Sequence, residues 1–320
     1  MKKLRMDLRI LFMGTPEFAV PSLEALARWK PGAIAAVISQ PDKPQGRGRK
    51  LSETPVKQAA VRLGLPIFQP PRIKSSETER LLENLAPKLI VVVAYGKILP
   101  KWFIDFPAHG AVNVHGSLLP RYRGAAPLQH AILNGERTTG ITLMLMDESM
   151  DTGPVISQIE FPMFENETAG ELLQRASLEA ADFLVGELPA YLRGERKPAP
   201  QNSELATYAP PLKKEDGKLR FEWSSLRLHN LVRAMNPWPL TFCRCRENPL
   251  IVHRTYLPKE IRATGVPGQL MAVNHDSMLV QCGDGLLAFH QVQAPGKRVV
   301  SGRDFANGFR LKPGFRFTEG

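Results

Sequence analysis

The sequence predicts an α/β fold, a doubly wound domain with a mostly parallel sheet, followed by a small β-barrel. Three observations carry this expectation. Through residue 192, short apolar runs alternate with stretches of helical periodicity, the pattern that lays parallel strands side by side with helices on both faces. Residues 193–212 then turn polar and proline-rich, as a connection between domains does. Beyond them, apolar runs of strand length recur between turn residues, which is the spacing of a sandwich or barrel.

The elements follow in order. Residues 8–13 read as a first strand, 17–29 as a helix and 34–39 as a second strand. Thr54 followed by Pro55 opens a helix over 54–63, because Pro at the first helical position gives up an N–H that has no partner anyway. A short strand over 66–69 and a helix over 75–85 with a Ser/Glu capping pattern come next. Residues 89–94 are almost continuously apolar, as expected of a central parallel strand. Strands are expected at 111–115 and 142–146, and one long helix at 168–191. In the last third, a helix over 224–235 precedes strands at 240–245, 250–256, 269–273, 278–282 and 286–291. The divisions implied are a catalytic domain over 1–194, a linker over 195–208 and a barrel over 209–320.

Composition narrows the function. Hydrophobic residues make up 43% of the 320-residue chain, enough for two cores. No apolar run approaches the roughly 20 residues of a membrane span, and the short run after the basic Met1–Arg5 start fits a buried strand better than a signal-peptide core. Cys243, Cys245 and Cys282 cannot all pair and lack zinc-ligand spacing, so a cytoplasmic protein with no metal is expected. The net charge of +11 is uneven, +3 over residues 1–206 and +8 over 207–320. A basic part beside a nearly neutral one suits a polyanionic partner such as nucleic acid, or is simply a basic surface.

Three segments carry candidate chemistry. In Asn113-Val114-His115-Gly116 the amide and the imidazole stand two apart at a strand end, and a period of two puts both on one face. That end is where open α/β sheets bind ligands. An amide N–H there can hold a carbonyl oxygen as it turns negative, and an imidazole can take a proton near neutral pH. A satisfied buried polar pair is the plainer alternative. Met150-Asp151-Thr152-Gly153 follows a later strand. It reads as a turn or as a carboxylate supporting His115; the aspartic-protease reading fails because the triplet occurs once, in an α/β setting. Residues 40–50 form a Gly/Pro-rich loop with four basic residues, including Arg47 between two glycines. It is suited to phosphate or to plain solvation. It is no P-loop, and Gly14-Thr15-Pro16 lacks the dinucleotide fingerprint of Rossmann-like cofactor domains, so no nicotinamide cofactor is expected.

The run Asn113-Val114-His115-Gly116-Ser117-Leu118-Leu119-Pro120-Arg121-Tyr122-Arg123-Gly124-Ala125-Ala126-Pro127, with Met150-Asp151-Thr152-Gly153, residues 40–51, Asn236-Pro237-Trp238-Pro239 and Gly283-Asp284-Gly285, resembles the folate-dependent formyltransferases across nearly the whole chain. The basic loop and barrel tail resemble the branch that acts on charged tRNA. The resemblance implies a Rossmann-like formyltransferase domain with an OB-like C-terminal barrel. It implies transfer of a formyl group from 10-formyltetrahydrofolate to the α-amine of methionine on initiator tRNA, in translation initiation. It implies catalysis by Asn113, His115 and Asp151, folate contacts around Ser117, Leu118, Leu119 and Pro120, and tRNA contact by Arg47, with no metal and no membrane or obligatory protein partner. The competing readings are a formyltransferase for a small sugar-nucleotide or purine-precursor amine, which would not need the basic tail, and a catalytically silent nucleic-acid binder, which would not need the polar triad.

Overall fold

The computed structural model describes residues 8–45, 50–259 and 264–320. It contains two compact units. One comprises the chain up to Pro127 together with Thr139–Phe161 and Leu173–Ala209; the other comprises Leu128–Thr138, Pro162–Leu172 and Pro210–Gly320.

The first unit is built on β1 (Ile10–Gly14), β2 (Ile34–Ile38), a hairpin of β3 (Lys43–Gln45) and β4 (Lys50–Ser52), then β5 (Ile67–Phe68), β6 (Leu89–Val93), β7 (Ala111–His115), β8 (Arg123–Gly124), β9 (Thr138–Leu145), β10 (Val155–Pro162) and β11 (Tyr208–Ala209). Its main sheet runs β10-β9-β7-β6-β1-β2-β5. The pairs β5/β2, β2/β1, β1/β6 and β6/β7 are parallel, and β9 lies antiparallel to β7. The chain proceeds outward from β1 to β5, then crosses back to place β6 on the other side of β1. That reversal is the switch point beside which doubly wound sheets open a crevice.

Both faces of the sheet are covered. Leu11, Met13, Ala36, Ile38, Ile90 and Val92 pack into one core with Leu82, Phe103 and Ile104. Their neighbours along the same strands, Ile10, Phe12, Val37, Leu89, Val91 and Val93, are equally inaccessible. Because side chains alternate across a strand, burial of both sets needs layers on both sides. The helices of this unit are α1 (Val20–Trp29), α2 (Pro55–Arg62), α3 (Ser76–Leu85), the single turn α4 (Lys101–Ile104) and, after α5 (Pro127–Leu133), which falls in the second unit from Leu128 on, most of the long α6 (Ala169–Leu192). Their starts follow from capping. Thr54 accepts from Lys57 N–H, Ser75 from Thr78 N–H, and Thr168 and Glu171 exchange backbone-to-side-chain bonds in a full capping box.

Two expectations shift. Residues 40–51 were expected as a loop, but β3 and β4 pair antiparallel, Lys43 with Ser52 and Gln45 with Lys50, so a ribbon frames the segment. The strand expected at 142–146 starts earlier, at Thr138, because its partner β10 continues the edge of the sheet.

The second unit contains α7 (Ser225–Ala234), β12 (Thr241–Cys245), β13 (Asn248–Tyr256), β14 (Leu270–Val273), β15 (Met278–Gln281), β16 (Leu286–Gln293), β17 (Val300–Ser301), α8 (Gly302–Gly308) and β18 (Thr318–Glu319). The strands follow the order β14-β15-β16-β13-β12-β18 with every resolved pairing antiparallel. The sheet curls shut through the last residues. Leu270 N–H donates to Phe315 O (2.7 Å) and Phe317 N–H to Gly268 O (2.8 Å), while Thr318 and Glu319 pair with Arg244 and Cys243. One segment thus pairs with Leu270 on the β14 edge and with Cys243 and Arg244 on the β12 edge, covering part of each. Phe221, Phe289 and Phe317 fill the interior, with half-buried Phe315 edge-on to Phe317, and the centroids along this chain of contacts are 5.1–6.3 Å apart.

His229 of α7 lies buried in this unit, with Nδ1 2.9 Å from Thr255 Oγ1 and Nε2 3.3 Å from Glu165 O. Burial holds its pKa below the usual histidine value, so the unfolded chain binds the proton more readily than the folded one. Stability from this group is fully present above ~6.5, the unfolded value, and is lost as pH falls toward the depressed folded value. We therefore expect the urea midpoint to fall between pH 7 and 5, and His229→Gln to flatten that fall; an unchanged pH dependence in the variant would assign the effect elsewhere.

Candidate active site

The carboxyl end of β7 lies next to β6, one strand from the switch point. Asn113 and His115 lie on one face of this strand, registered against Met144 and Thr142 of β9. Asn113 is half-buried, and among the described residues its amide makes no hydrogen bond. His115 is 6% exposed. Its Nε2 is 3.0 Å from the Tyr122 carbonyl. A carbonyl only accepts, so Nε2 carries the proton and Nδ1 is the basic nitrogen. That Nδ1 faces Asp151 Oδ1 across 3.6 Å, too far for a direct hydrogen bond but close enough to stabilise a proton arriving on the ring. Asp151 itself is held at left-handed φ of 55°, and the Gly124 N–H donates to its Oδ2 at 2.9 Å. One carboxylate oxygen is fixed to the backbone and the other is turned to the imidazole.

The loop after β7 is pinned to the sheet from beneath. Thr142 is fully buried, and its hydroxyl donates to Ser117 O (2.6 Å) while accepting from Leu119 N–H (3.1 Å) and from the Gln158 amide (2.9 Å), which also donates to Leu119 O (2.8 Å). Ser117 Oγ donates to Arg121 O at 2.6 Å. Ser117 and Leu119 are therefore turned inward with their polar groups satisfied, whereas Leu118 and Pro120 keep partial exposure. Beside β7, β6 and β1 end together at Val93 and Gly14. Thr15 Oγ1 (3.0 Å) and the Gln40 amide (2.7 Å) both donate to Tyr95 O just beyond. Burial pushes the Tyr95 phenol up to about 12, so it stays neutral.

The formyl transferase family model matches residues 8–187, and that of the formyl transferase C-terminal domain matches residues 211–310. The chain is 44% identical over 306 residues to the methionyl-tRNA formyltransferase of Myxococcus xanthus, covering 96% of each protein, and 42% identical to that of Pelotomaculum thermopropionicum, covering 98% of this chain and 99% of the relative. The chain belongs to the methionyl-tRNA formyltransferase family. Solved structures share the fold. A sugar 3N-formyl transferase crystallised with dTDP and 5-N-formyl-THF superposes with a TM-score of 0.65 at 20% identity, over 91% of this chain and 99% of that one. A methionyl-tRNA formyltransferase from Clostridium thermocellum gives 0.55 at 16%, over 78% and 94%.

Within this family fold, the structure brings His115 and Asp151 face to face and sets Asn113 on the same strand face as His115. Arg47 lies outside the described residues. Sequence reasoning passed over Thr142 and Gln158, which fix the loop bearing residues 117–120. The available signal was a threonine in the middle of an otherwise apolar run, Ile141-Thr142-Leu143-Met144. Among the described residues no helix is long and apolar enough to cross a membrane.

Proposed function

We propose that this chain transfers the formyl group of 10-formyltetrahydrofolate to the α-amine of methionine carried on initiator tRNA. The observation that carries the reading is the basic Nδ1 of His115 facing the anchored carboxylate of Asp151, on a strand face shared with the open amide of Asn113. The names of its relatives, and the formyl-folate in the sugar formyltransferase of like fold, support the choice of substrates. The folate is a co-substrate. Its formyl carbon is already activated by the N10 leaving group, so the protein's part is orientation, charge stabilisation and proton movement.

The chemistry then runs as follows. The amine attacks the formyl carbon, and the carbonyl oxygen gains negative charge that the Asn113 N–H groups stabilise. His115 Nδ1 takes the proton that the attacking nitrogen must lose, and Asp151 stabilises the imidazolium. The carbon–N10 bond breaks, His115 passes the proton taken from the amine to N10, and the carbon–nitrogen bond to methionine remains. Leu118 and Pro120, half open at the crevice, supply apolar contact to the folate, with Ser117 and Leu119 shaping the loop behind them. Residues 1–194 carry the chemistry. The barrel over 209–320, with its net +8 from residue 207 onward, holds the tRNA backbone. Arg47 reaches the acceptor end of the tRNA, and the three free thiols fit a cytoplasmic enzyme.

Incubating the protein with 10-formyltetrahydrofolate and separately charged tRNAs tests this. Formyl-methionine on the initiator tRNA is the expected product. Formylation of amino-sugar nucleotides with none on tRNA would move the chain to another branch of substrates. Arg47→Ala is expected to lower kcat/KM for charged tRNA at least ~10-fold, the scale of one charge-assisted contact, with folate KM unchanged. Full rescue by Arg47→Lys would mean that charge alone matters there.

A further inference from the structure

Residues 199–209 come from the polar, proline-rich stretch that the sequence presents as a connection, yet they lie on the first unit as a strap over both loops of the site. Ala199 exchanges two backbone hydrogen bonds with Val155, each 2.8 Å. Thr207 Oγ1 accepts from Tyr122 N–H at 2.8 Å, and Thr207 O accepts from Arg123 N–H at 2.8 Å. β11 pairs parallel with β8, Tyr208 beside Arg123 and Ala209 beside Gly124. The approach is so close that a Cβ on Gly124 would stand 2.6 Å from Ala209 O. Tyr122, whose carbonyl fixes His115, and Gly124, whose N–H fixes Asp151, are both tied down by this strap.

Gln201 stands at its centre. Its carboxamide nitrogen donates to Asp151 O (2.9 Å) and Gly153 O (2.8 Å), and its oxygen accepts from Arg123 Nε (3.1 Å) and Nη2 (2.7 Å). Both donors and both acceptor sites of the amide are used. The orientation is fixed by chemistry: turning the amide over would set its NH2 against a guanidinium and its oxygen against two carbonyls. Arg123 is 3% exposed, so this bracing is a buried, charge-assisted arrangement. It grips the turn at the carbonyls of Asp151 and Gly153, and Asp151 itself stands in a backbone region that side chains rarely adopt.

We infer that Gln201 is a positioning residue for Asp151, holding the 151–153 turn so that its carboxylate meets His115. This rests on the proposed chemistry of Asp151 and adds to it a device outside the motifs that mark the site. Gln201→Glu is the decisive variant. A carboxylate still satisfies Arg123, but it cannot donate to the Asp151 and Gly153 carbonyls. Gln201→Ala removes both halves.

The test is single-turnover formylation of charged initiator tRNA with excess enzyme, run on variants whose circular dichroism and melting show the fold intact at the assay temperature. Gln201→Glu is expected to lose about 10-fold or more in turnover, with apparent affinities for folate and tRNA within ~3-fold, as a misplaced reacting group does. In an Asp151→Asn background, Gln201→Glu should cost almost nothing further, since a residue acting through Asp151 has nothing left to position. Wild-type turnover in Gln201→Glu, or a loss that multiplies with that of Asp151→Asn, overturns the inference. Wild-type turnover in Asp151→Asn alone would instead overturn the proposed chemistry of Asp151. Should Gln201→Ala melt early while Gln201→Glu stays folded, the Glu variant decides.

Discussion

His115→Gln is expected to lower turnover by about 10² or more while leaving the fold intact. The glutamine amide can still donate to the Tyr122 carbonyl, as His115 Nε2 does at 3.0 Å, so the buried hydrogen bond survives and only the basic nitrogen is lost. Asn113→Ala should fall by a similar factor, the scale of one lost oxyanion donor. Its melting temperature should hardly move, because the amide has no partner among the described residues whose loss would leave a buried group unsatisfied. Asp151→Asn should also be damaging, since the amide carries no charge to stabilise the imidazolium. The two classes of effect separate in the kinetics. Loss of a group used only in the transition state lowers kcat and kcat/KM together, whereas loss of ground-state binding raises KM. Near-normal kcat in folded His115→Gln and Asn113→Ala would remove these residues from the mechanism.

How much of this was legible in the sequence depends on the range over which each feature is written. Asn113 and His115 stand two apart, so local periodicity alone puts them on one face. The parallel core was legible because β6 is apolar on both faces. The barrel strands were legible because turns interrupt them at regular intervals. The 36-residue separation of Asp151 from His115 had no local signature, so their pairing stood only as an alternative to a simple turn until the resemblance of the motif favoured it. Gln201 is further removed: it sits among prolines and polar residues whose composition is that of any solvated connection, and nothing but tertiary structure brings its amide to Asp151 and Arg123. Strands of two residues, such as β8 and β11, have no period to detect. Closure of the barrel falls to the segment 314–319, which pairs in pieces with two different strands and so has no single-strand pattern of its own. The Ser117–Pro120 loop shows the same limit. Its sequence marks four residues alike, but hydrogen bonds to Thr142 and Gln158 turn two of them inward.

Gly153→Ala is expected to be the most damaging single methyl in the chain's active half. The turn that carries Asp151 packs its backbone directly on β9: a Cβ at residue 153 would lie 1.9 Å from Leu145 O and 3.0 Å from Leu145 C. Both are backbone atoms of a sheet strand, and Leu145 N–H already donates to Pro154 O at 2.9 Å, so neither side can yield cheaply. Glycine is needed here for space. Relief requires the turn to lift off the strand, at a cost of about 3 kcal/mol or more, the upper range for overpacking. Asp151 is two residues away and would move with it; a displacement near 1 Å at a reacting group costs on the order of 10² in rate. Gly186→Ala supplies the opposite sign. It lies within α6 with nothing inside 4 Å of the added carbon, so it should stabilise by about 0.5–1 kcal/mol through helix propensity. Thermal melts and single-turnover rates of the two variants, measured side by side, check both claims. A Gly153→Ala protein that melts and turns over like the parent would show that the Asp151 turn is not seated on β9, and the account of how the carboxylate is aimed at His115 would fall with it.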